Sequence, residues 1–496
     1  MSVETELKLR ILPDDLARLR RHSLFKSHQV TVPETRRLHN VYYDTPALDL
    51  NKSRMALRIR RVGGRWIQTL KGGGQVRAGL HQRFEWETPV PSARLDFTGL
   101  DAVVWDEHLP LAWREHLQPV FTTDFYRASR LLDWHGTIIE VCMDKGEVRT
   151  QNLSTPICEL ELELKSGDSQ HLFSLAQAIL DIVPFELETV SKAELGFRLM
   201  AGFVAQPVKS ELPDITGANH LTSALQTLVW ACLQHWQGNL RGALSCADDA
   251  EYLHQLRVAF RRLRIVLRMV DKICADEELT CLREALSAMS GVLGRVRDWD
   301  VFIGNLHALS FAPPGFEALL TACETQRAAS NAALRAQGSA MQRLLLRFAV
   351  WMNGNYWQQA ELTAPDMPEF ARRCLQQLHK RYQKASEQSD RLDEVALHDL
   401  RIDAKKLRYS AECFAGLFNA AKAEVYISGL SEVQEFLGDI NDVSVARSLL
   451  ARLADTLPAD SVALIDHEIR LKSSKNLKLL NKKLKAFNQE PVFWKK

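Results

Sequence analysis

The sequence predicts an α+β domain built on an antiparallel sheet, followed by an all-α helical domain that contains an internal repeat. Three observations carry this expectation. From Val3 to about Phe203 hydrophobicity alternates with period two, as in VETELKLRI, MALRIRRV, HQRFEWETP, GTIIEVCMD and CELELELK, with Gly, Pro and Asp between the segments. From about Asn219 the alternation gives way to a helical pattern rich in Leu, Ala, Arg, Glu and Gln. Within this second half HQLRVAFRRLR, starting at His254, returns as HDLRIDAKKLR, starting at His398, and 398 − 254 = 144. LGRVRDWDV at Leu293 likewise returns as LGDINDVSV at Leu437, and 437 − 293 is again 144. Two dissimilar motifs with one offset mark a duplication, with halves expected to be related by a pseudo-twofold.

Taken in order, short helices are expected over residues 13–22, 110–117 and 169–182, between the strands of residues 1–203. Residues 204–218 (VAQPVKSELPDITGA), with two Pro, a Gly and no clear period, read as a linker. Residues 219–485 form the helical domain and 486–496 a basic tail. From Arg470 to Lys496 nine Lys or Arg face one acid, Glu490, which reads as a solvated helix end with a frayed terminus rather than a binding arm.

Composition narrows the function. At 496 residues the chain has room for roughly two to four domains, and 46% hydrophobic with 25% charged residues is an ordinary globular mix. No stretch approaches the ~18 apolar residues of a membrane helix, and the opening MSVETELKLRILPDD lacks the apolar core of a secretory signal. The nine cysteines, at 142, 158, 232, 246, 274, 281, 323, 374 and 413, include no CxxC pair. That argues against a disulfide framework or a structural zinc site and for free thiols in a reducing, cytoplasmic setting. With 63 Lys+Arg against 61 Asp+Glu the net charge is +2, so neither a specific nucleic acid nor a membrane is expected as partner.

Local charge patterning says more. On a strand, Glu4, Glu6 and Lys8 share one face while Val3, Thr5, Leu7 and Leu9 share the other. Arg58 and Arg60 stand against Leu57 and Ile59. Arg83, Glu85 and Glu87 stand against Phe84 and Trp86, and Glu159, Glu161 and Glu163 against Leu160, Leu162 and Leu164. One such strand is most simply an amphipathic edge with its charges in water. The set is different: the polar faces are almost solidly ionised, acids concentrate on the first and last strands, and the apolar faces suffice to carry helices. Charged faces turned inward would be prohibitive without a ligand. Carboxylates suit a hard divalent cation, and Lys and Arg suit phosphate, Arg with a bidentate fork. Acids and bases in one cavity thus imply a metal–polyphosphate complex.

Glu4-Thr-Glu6-Leu-Lys8 resembles the ExExK signature of the CYTH domain, in the triphosphate tunnel metalloenzyme superfamily. The resemblance runs over about 200 residues through LRIRR, QTLKG, RFEWE, MDKGEV, ELELELKSGD and SKAELG. It implies an eight-stranded antiparallel β-tunnel that binds a triphosphate chain with divalent metal, Mg²⁺ or Mn²⁺, as two ions. By position it implies metal ligation by Glu4, Glu6, Glu161 and Glu163, with Asp144 (read as lying just before a turn glycine, Gly146) and Glu140 as further candidates. Lys8, Arg58, Arg60, Lys71, Arg127 and Lys192 resemble the phosphate cradle, to which Arg83 of the tunnel lining is added, and Glu85, Arg130 and Glu159 complete that lining. Glu4, Glu6, Lys8, Glu161 and Glu163 are then the catalytic set. The chain departs from the family's SKYERG in carrying Ala193 and Leu195, which leaves Lys192 in place without an aromatic at 193. His39 and His81 read as surface or packing residues rather than bases.

In the helical half, His254, Arg257, Arg261 and Arg264 fall within one ~80° stripe of a helix. His398, Arg401, Lys405 and Arg408 repeat it. Such a face is ordinarily solvated and relieved by acids four residues away, which are scarce here. Two basic helices facing one another would make a groove for a long polyanion, held through phosphates. Loops bearing Asp298, Asp300 and Asp442 are expected to orient the arginines by salt bridges. This half resembles the CHAD domain over about residues 219–485, which implies binding of long-chain inorganic polyphosphate. The leading reading is a metal-dependent inorganic triphosphatase that splits tripolyphosphate into pyrophosphate and orthophosphate, cytoplasmic and associated with polyphosphate granules. The alternatives are a class IV-type adenylate cyclase or organic triphosphatase, which would need an aromatic platform such as Trp66 or Trp86, and a non-catalytic polyphosphate-binding protein.

Overall fold

The computed structural model describes residues 2–77, 79–98, 109–245, 249–273, 275–388, 394–456 and 458–495. Cys246, Cys274, Lys496 and the side chains of Val3, Lys472, Lys475 and Lys478 lie outside the described set. The chain forms two compact units, residues 1–206 with 339–354 and residues 207–338 with 355–496.

The first unit is a closed antiparallel barrel of eight strands: β1 (Ser2–Arg10), β2 (Glu34–Asp44), β3 (Ala56–Val62), β4 (Arg65–Arg77), β5 (Leu80–Val90), β6 (Gln118–Trp134), β7 (Thr137–Arg149) and β8 (Ser154–Ser166). The order around it is β5-β4-β3-β2-β6-β7-β8-β1, with β1 pairing β5 to close, and a short β9 (Glu186–Leu187) also pairs with β1. Closure leaves few unpaired edges and gives every strand an inner and an outer face. The outer apolar face is buried: Leu7, Leu9, Leu160 and Leu162 are each 0% exposed.

Helices α1 (Pro13–Arg20), α4 (Leu111–Arg114) and α5 (Gln170–Leu180) fall inside the three predicted stretches, and each is shorter than its stretch. Helices α2 (Ser23–Ser27), α3 (Asp49–Lys52) and α6 (Lys192–Met200) were not anticipated. Ser191 caps α6, its side chain accepting from the Glu194 N–H. Phe197 of α6 packs with Leu38, Tyr42, Phe121, Phe125, Val148 and Ile157, and Ala193 and Leu195 rest against the same cluster. These strand residues share the parity of the charged lining, so the cluster fills one end of the barrel from within. Gly196 is needed there, since a Cβ on it would sit 2.2 Å from Phe121 Cε2.

The second unit is helical: α7 (Leu221–Ser245), α8 (Ala250–Val270), α9 (Glu277–His307), α10 (Phe316–Ala336), α12 (Tyr356–Thr363), α13 (Met367–Gln388), α14 (Glu394–Phe414), α15 (Ala420–Arg452) and α16 (Ala459–Phe487). The intervening α11 (Gly338–Met352) belongs almost wholly to the first unit, where Arg343 pairs with Asp181 at 2.6 Å. The repeat is visible as α8 and α14, which begin 144 residues apart (394 − 250), and as α10 and α16, 143 apart (459 − 316). The side chains of Asp249, Asp276 and Asn419 cap α8, α9 and α15. Trp299, Phe302, Ile303, Leu319, Leu449 and Ile465 form part of a core shared by α9, α10, α15 and α16. The terminus is anchored rather than frayed: Phe493 and Trp494 are buried, ringed by Tyr426, His379 and Phe418. Among the described residues no helix is long and apolar enough to cross a membrane.

Candidate functional site

Strand register assembles the lining. Lys8 lies opposite Glu161 and Glu6 opposite Glu163 across β1–β8. Arg127 lies opposite Asp144, Asp144 opposite Glu159, and Lys71 opposite Glu85. Directly opposed residues share a face, so β1, β4, β5, β6, β7 and β8 present their charges to the barrel interior.

The densest group centres on Lys192, projected from the first turn of α6. Its Nζ lies 2.6 Å from Asp144 Oδ2 and 2.9 Å from Glu161 Oε1, and it also donates to Glu159 Oε1. Lys8 Nζ donates to Glu161 Oε1 at 2.6 Å and lies 3.1 Å from Glu6. Arg127 grips Asp144 through two hydrogen bonds of 2.8 and 2.7 Å and also contacts Glu161. Asp144 is 0% exposed. Burial opposes every one of these charges, and neighbours of opposite sign decide the outcome. For Lys8, burial is outweighed by Glu161, Glu6 and Glu159, which hold its ammonium well above its ordinary value. For Lys192, burial is outweighed by Asp144, Glu159 and Glu161. For Glu161, burial is overcome by Lys192, Lys8 and Arg127, which hold the carboxyl well below the usual range. Glu159 goes the other way, pushed by burial up to about 7.

A second group lies along β3, β4 and β5. Lys71 Nζ is 2.5 Å from Glu4 and 3.0 Å from Glu85, and Arg58 lies 3.6 Å from both Glu85 and Glu87. Arg60 donates from Nε to Asn40 at 2.9 Å, and burial with the charges of Arg58 and Arg127 lowers it to about 10. Burial alone would raise the Tyr42 phenol, yet Arg58, Arg60 and Lys192 bring it below its ordinary value. A third, more exposed group joins Lys165 to Glu140 at 2.9 Å and Glu163 at 2.5 Å.

The residues singled out in the sequence are therefore distributed among these groups. Lys8, Glu6, Asp144, Glu161, Arg127 and Lys192 come together; Glu4, Arg58, Arg60 and Lys71 line a neighbouring wall; Glu163 sits with Lys165. Arg83 lies opposite Glu4 on β5. Arg130 is not part of the lining: it lies on the opposite face of β6 from Arg127, stacked 5.4 Å from the Phe25 ring. Gly146 is not in a turn but within β7, where a Cβ would come 2.2 Å from the Asp124 carbonyl. His81 is buried beside the Lys8 and Glu6 charges, with Nε2 against the Glu188 carbonyl at 3.1 Å. His39 is half-exposed, 3.9 Å from Asp124.

The ligand atoms of Asp144, Glu159 and Glu161 lie within 4.8 Å of one another, the arrangement of three or more metal-competent side chains that the described residues offer. An all-carboxylate set of hard oxygens fits Mg²⁺ or Mn²⁺. The resemblance marks Glu159 only as lining, although its period-two relation to Glu161 places it on the same face. Glu4, Glu6 and Glu163 stand outside this trio.

In the second unit the two stripes lie on α8 and α14. Arg261 of α8 donates to the Tyr409 hydroxyl of α14 at 3.0 Å, and Arg262 pairs with Glu412 at 3.0 Å. Arg257 donates to the Leu293 and Gly294 carbonyls at 3.1 and 3.0 Å. Burial, with Arg261 and Arg401 nearby, drives Lys405 down to about 6, and burial lowers Arg257 to about 10. Arg401 Nε is buried without a hydrogen-bond partner. Arg408 is turned to Ser431 at 2.8 Å and Glu412 at 3.3 Å, His398 is exposed, and burial beside Arg268 lowers Arg264. Arg297 of α9, missed in the sequence, adds its charge beside His254 and Arg257. Asp298, Asp300 and Asp442 are on helices α9 and α15 rather than loops. Asp298 and Asp442 act on Arg257 and Arg401 by charge, whereas Asp300 lies 3.5 Å from Arg327.

Comparison with known proteins fits this geometry. Residues 2–194 match the CYTH domain and residues 227–451 the CHAD domain. An inorganic triphosphatase of Haemophilus influenzae is 35% identical over 206 residues, 40% of this chain and 55% of that protein, so the chain spans about half the length of that relative. An uncharacterized protein of Mycobacterium tuberculosis is 26% identical over 456 residues, 85% of this chain and 83% of that one. Among solved structures, the CHAD domain from the plant Ricinus communis is 27% identical with a TM-score of 0.51, covering 58% of this chain and all of that domain. The chain is a two-domain protein in which a CYTH barrel is followed by a CHAD helical domain.

Proposed function

We propose that the barrel is a metal-dependent inorganic triphosphatase and that the helical domain binds long-chain inorganic polyphosphate. The observation that carries the first part is the convergence of Lys8, Arg127 and Lys192 with Glu6, Asp144, Glu159 and Glu161 inside a closed barrel. Such a set recognises a polyanion and a cation together. Asp144, Glu159 and Glu161 would hold a divalent cation, with Glu4, Glu6 and Glu163 as carboxylates for a second. The ion, Mg²⁺ or Mn²⁺, would neutralise charge on the phosphate oxygens and lower the pKa of a water.

The side chains supply position. Lys8, Lys71, Arg58, Arg60, Arg83, Arg127 and Lys192 hold the phosphate oxygens, whose charge grows and spreads as the terminal anhydride bond breaks. The plug of Phe121, Phe125 and Phe197 keeps water from one end. Attack of a water oxygen on the terminal phosphorus forms one P–O bond as one P–O–P bond breaks, so tripolyphosphate and water give orthophosphate and pyrophosphate. Trp66 and Trp86 weigh against a nucleotide or thiamine substrate: Trp66 is stacked with Arg61 at 5.5 Å, and Trp86 packs on the outer cluster of Leu50, Leu57, Leu70 and Leu109.

In the helical domain, His254, Arg257, Arg261, Arg297, Arg401 and Lys405 would contact polyphosphate oxygens, with Arg264, His398 and Arg408 towards the margins. A cytoplasmic protein held on polyphosphate granules follows from this reading. The test is a substrate panel of tripolyphosphate, ATP and thiamine triphosphate with the purified chain, with and without Mg²⁺ and Mn²⁺. Orthophosphate from tripolyphosphate, dependent on the ion and without cyclic AMP from ATP, is expected; preferential turnover of ATP would reject the assignment.

A further inference from the structure

Asp144, Glu159 and Glu161 already share a cation, and it is a side chain. The Lys192 ammonium touches all three, at 2.6 Å from Asp144, 2.9 Å from Glu161 and in contact with Glu159. An ammonium has three N–H donors, so these contacts use them all. The carboxylates it gathers are the same three that offer ligand atoms within 4.8 Å of one another. Magnesium holds its oxygens at about 2.0–2.1 Å, and an ammonium at the centre of the same trio leaves no room for it. Lys8 and Arg127 differ in this respect: Lys8 pairs with Glu161 and Glu6, with Glu159 acting on it by charge, and Arg127 pairs with Asp144 and Glu161. Lys192 is also the one of the three carried by a helix rather than a strand. Its Nζ lies 4.9 Å from the Phe125 ring, an apolar surface over which its flexible stem can pivot while α6 stays docked.

We infer that Lys192 is an exchangeable counter-cation: it holds Asp144, Glu159 and Glu161 together until a divalent cation takes its place, and its ammonium then moves onto a phosphate oxygen of the same substrate. The exchange rests on the triphosphatase reading and adds to it a coupling between metal and substrate. A metal ion alone must expel Lys192 without giving it a new partner. A metal ion arriving with a triphosphate provides that partner, so the two bind together more tightly than either alone. Lys192 thereby acts as a positioning residue that penalises metal binding in the absence of substrate.

The test uses Mn²⁺ alone as probe, its free concentration followed by electron paramagnetic resonance with the full chain, wild type against Lys192→Met. The Met stem keeps the bulk over Phe125 and removes the competing charge. Affinity for Mn²⁺ alone is expected to rise about tenfold or more, while loss of a charged hydrogen bond to phosphate weakens tripolyphosphate binding at saturating Mn²⁺, also about tenfold or more. Opposite signs are the signature, because a lysine that only contacted phosphate would leave Mn²⁺ affinity unchanged and a lysine that only stabilised the fold would lower both. Lys192→Gln, which keeps a polar tip, is the second variant should the melting transition of the first collapse, and it is expected to shift both affinities in the same directions. Unchanged or weaker Mn²⁺ binding in a folded variant overturns the exchange while the triphosphatase reading stands. Wild-type protein that neither binds Mn²⁺ nor hydrolyses tripolyphosphate overturns both.

Discussion

Asp144→Asn separates a buried charge that balances the barrel from one that is merely near the substrate. Asp144 is 0% exposed and answers two cations, Arg127 through hydrogen bonds of 2.8 and 2.7 Å and Lys192 at 2.6 Å. The amide keeps the shape but turns an NH₂ donor towards groups that can only donate. Removing one partner of a buried ion pair costs about 3–5 kcal/mol. Glu161 and Glu159 remain to answer Lys192, which places the loss near the low end, about 3 kcal/mol. For a unit of this size each kcal/mol lowers the melting temperature by about 2–4 °C, so a fall of about 6–12 °C is expected. Calorimetry on the full chain reads it, in the transition that tripolyphosphate with Mg²⁺ shifts upward. Glu163→Gln is the contrast: its partner Lys165 is 38% exposed, and the change is expected to stay within about 1 kcal/mol. A melting temperature within 2 °C of wild type for Asp144→Asn would refute the claim that the cations depend on it.

Three more outcomes follow. Gly196→Ala should destabilise the barrel despite the ~1 kcal/mol gained in helix propensity, because its Cβ would sit 2.2 Å from Phe121; overpacking of about 1–3 kcal/mol wins, and a raised melting temperature would contradict the plug. Arg257→Ala with Arg401→Ala should weaken polyphosphate binding at least tenfold in a filter or calorimetric assay while tripolyphosphate turnover survives; intact binding would refute the groove. Polyphosphate binding should take up close to one proton at pH 7.5, read by calorimetry in buffers of different ionisation heat, and Lys405→Met should abolish the uptake. Burial, Arg261, Arg401 and Arg257 hold Lys405 at about 6 against Asp442, and a polyanion raises it. Affinity therefore falls as pH rises above about 6. In the protein alone the sign is the reverse, since the unfolded chain keeps this proton towards the ordinary lysine value and stability from this group grows with pH above about 6.

Much of this was legible in the residues. Glu4-Thr-Glu6-Leu-Lys8 revealed the charged face of β1, and the 144-residue offset revealed α8 and α14 as equivalent helices. Alternation fixes which face a side chain takes, but not its depth along the barrel, which depends on register between strands distant in sequence. That is why Glu159 was passed over as a ligand candidate while Glu4 and Glu163, on the same inner face, lie in other groups. Arg130 misled for a simpler reason: a guanidinium can lie on the apolar side of a strand when an aromatic ring such as Phe25 receives it. The plug by α6 was hidden because nothing local links Phe197 to the aromatic ends of β2 and β6, which only strand register and barrel closure bring beneath it. The Asp298 and Asp442 motifs looked like loops because glycines precede them, yet α9 and α15 run through both.

The proposed triphosphatase requires that the cationic and acidic groups converging in the closed barrel take a triphosphate with its divalent cation. Phosphorus NMR of tripolyphosphate incubated with the purified chain and Mg²⁺ tests it most directly. Equal amounts of orthophosphate and pyrophosphate, with turnover abolished by chelation of the divalent cation, are predicted. Tripolyphosphate left intact, or hydrolysed at the same rate after chelation, would contradict it.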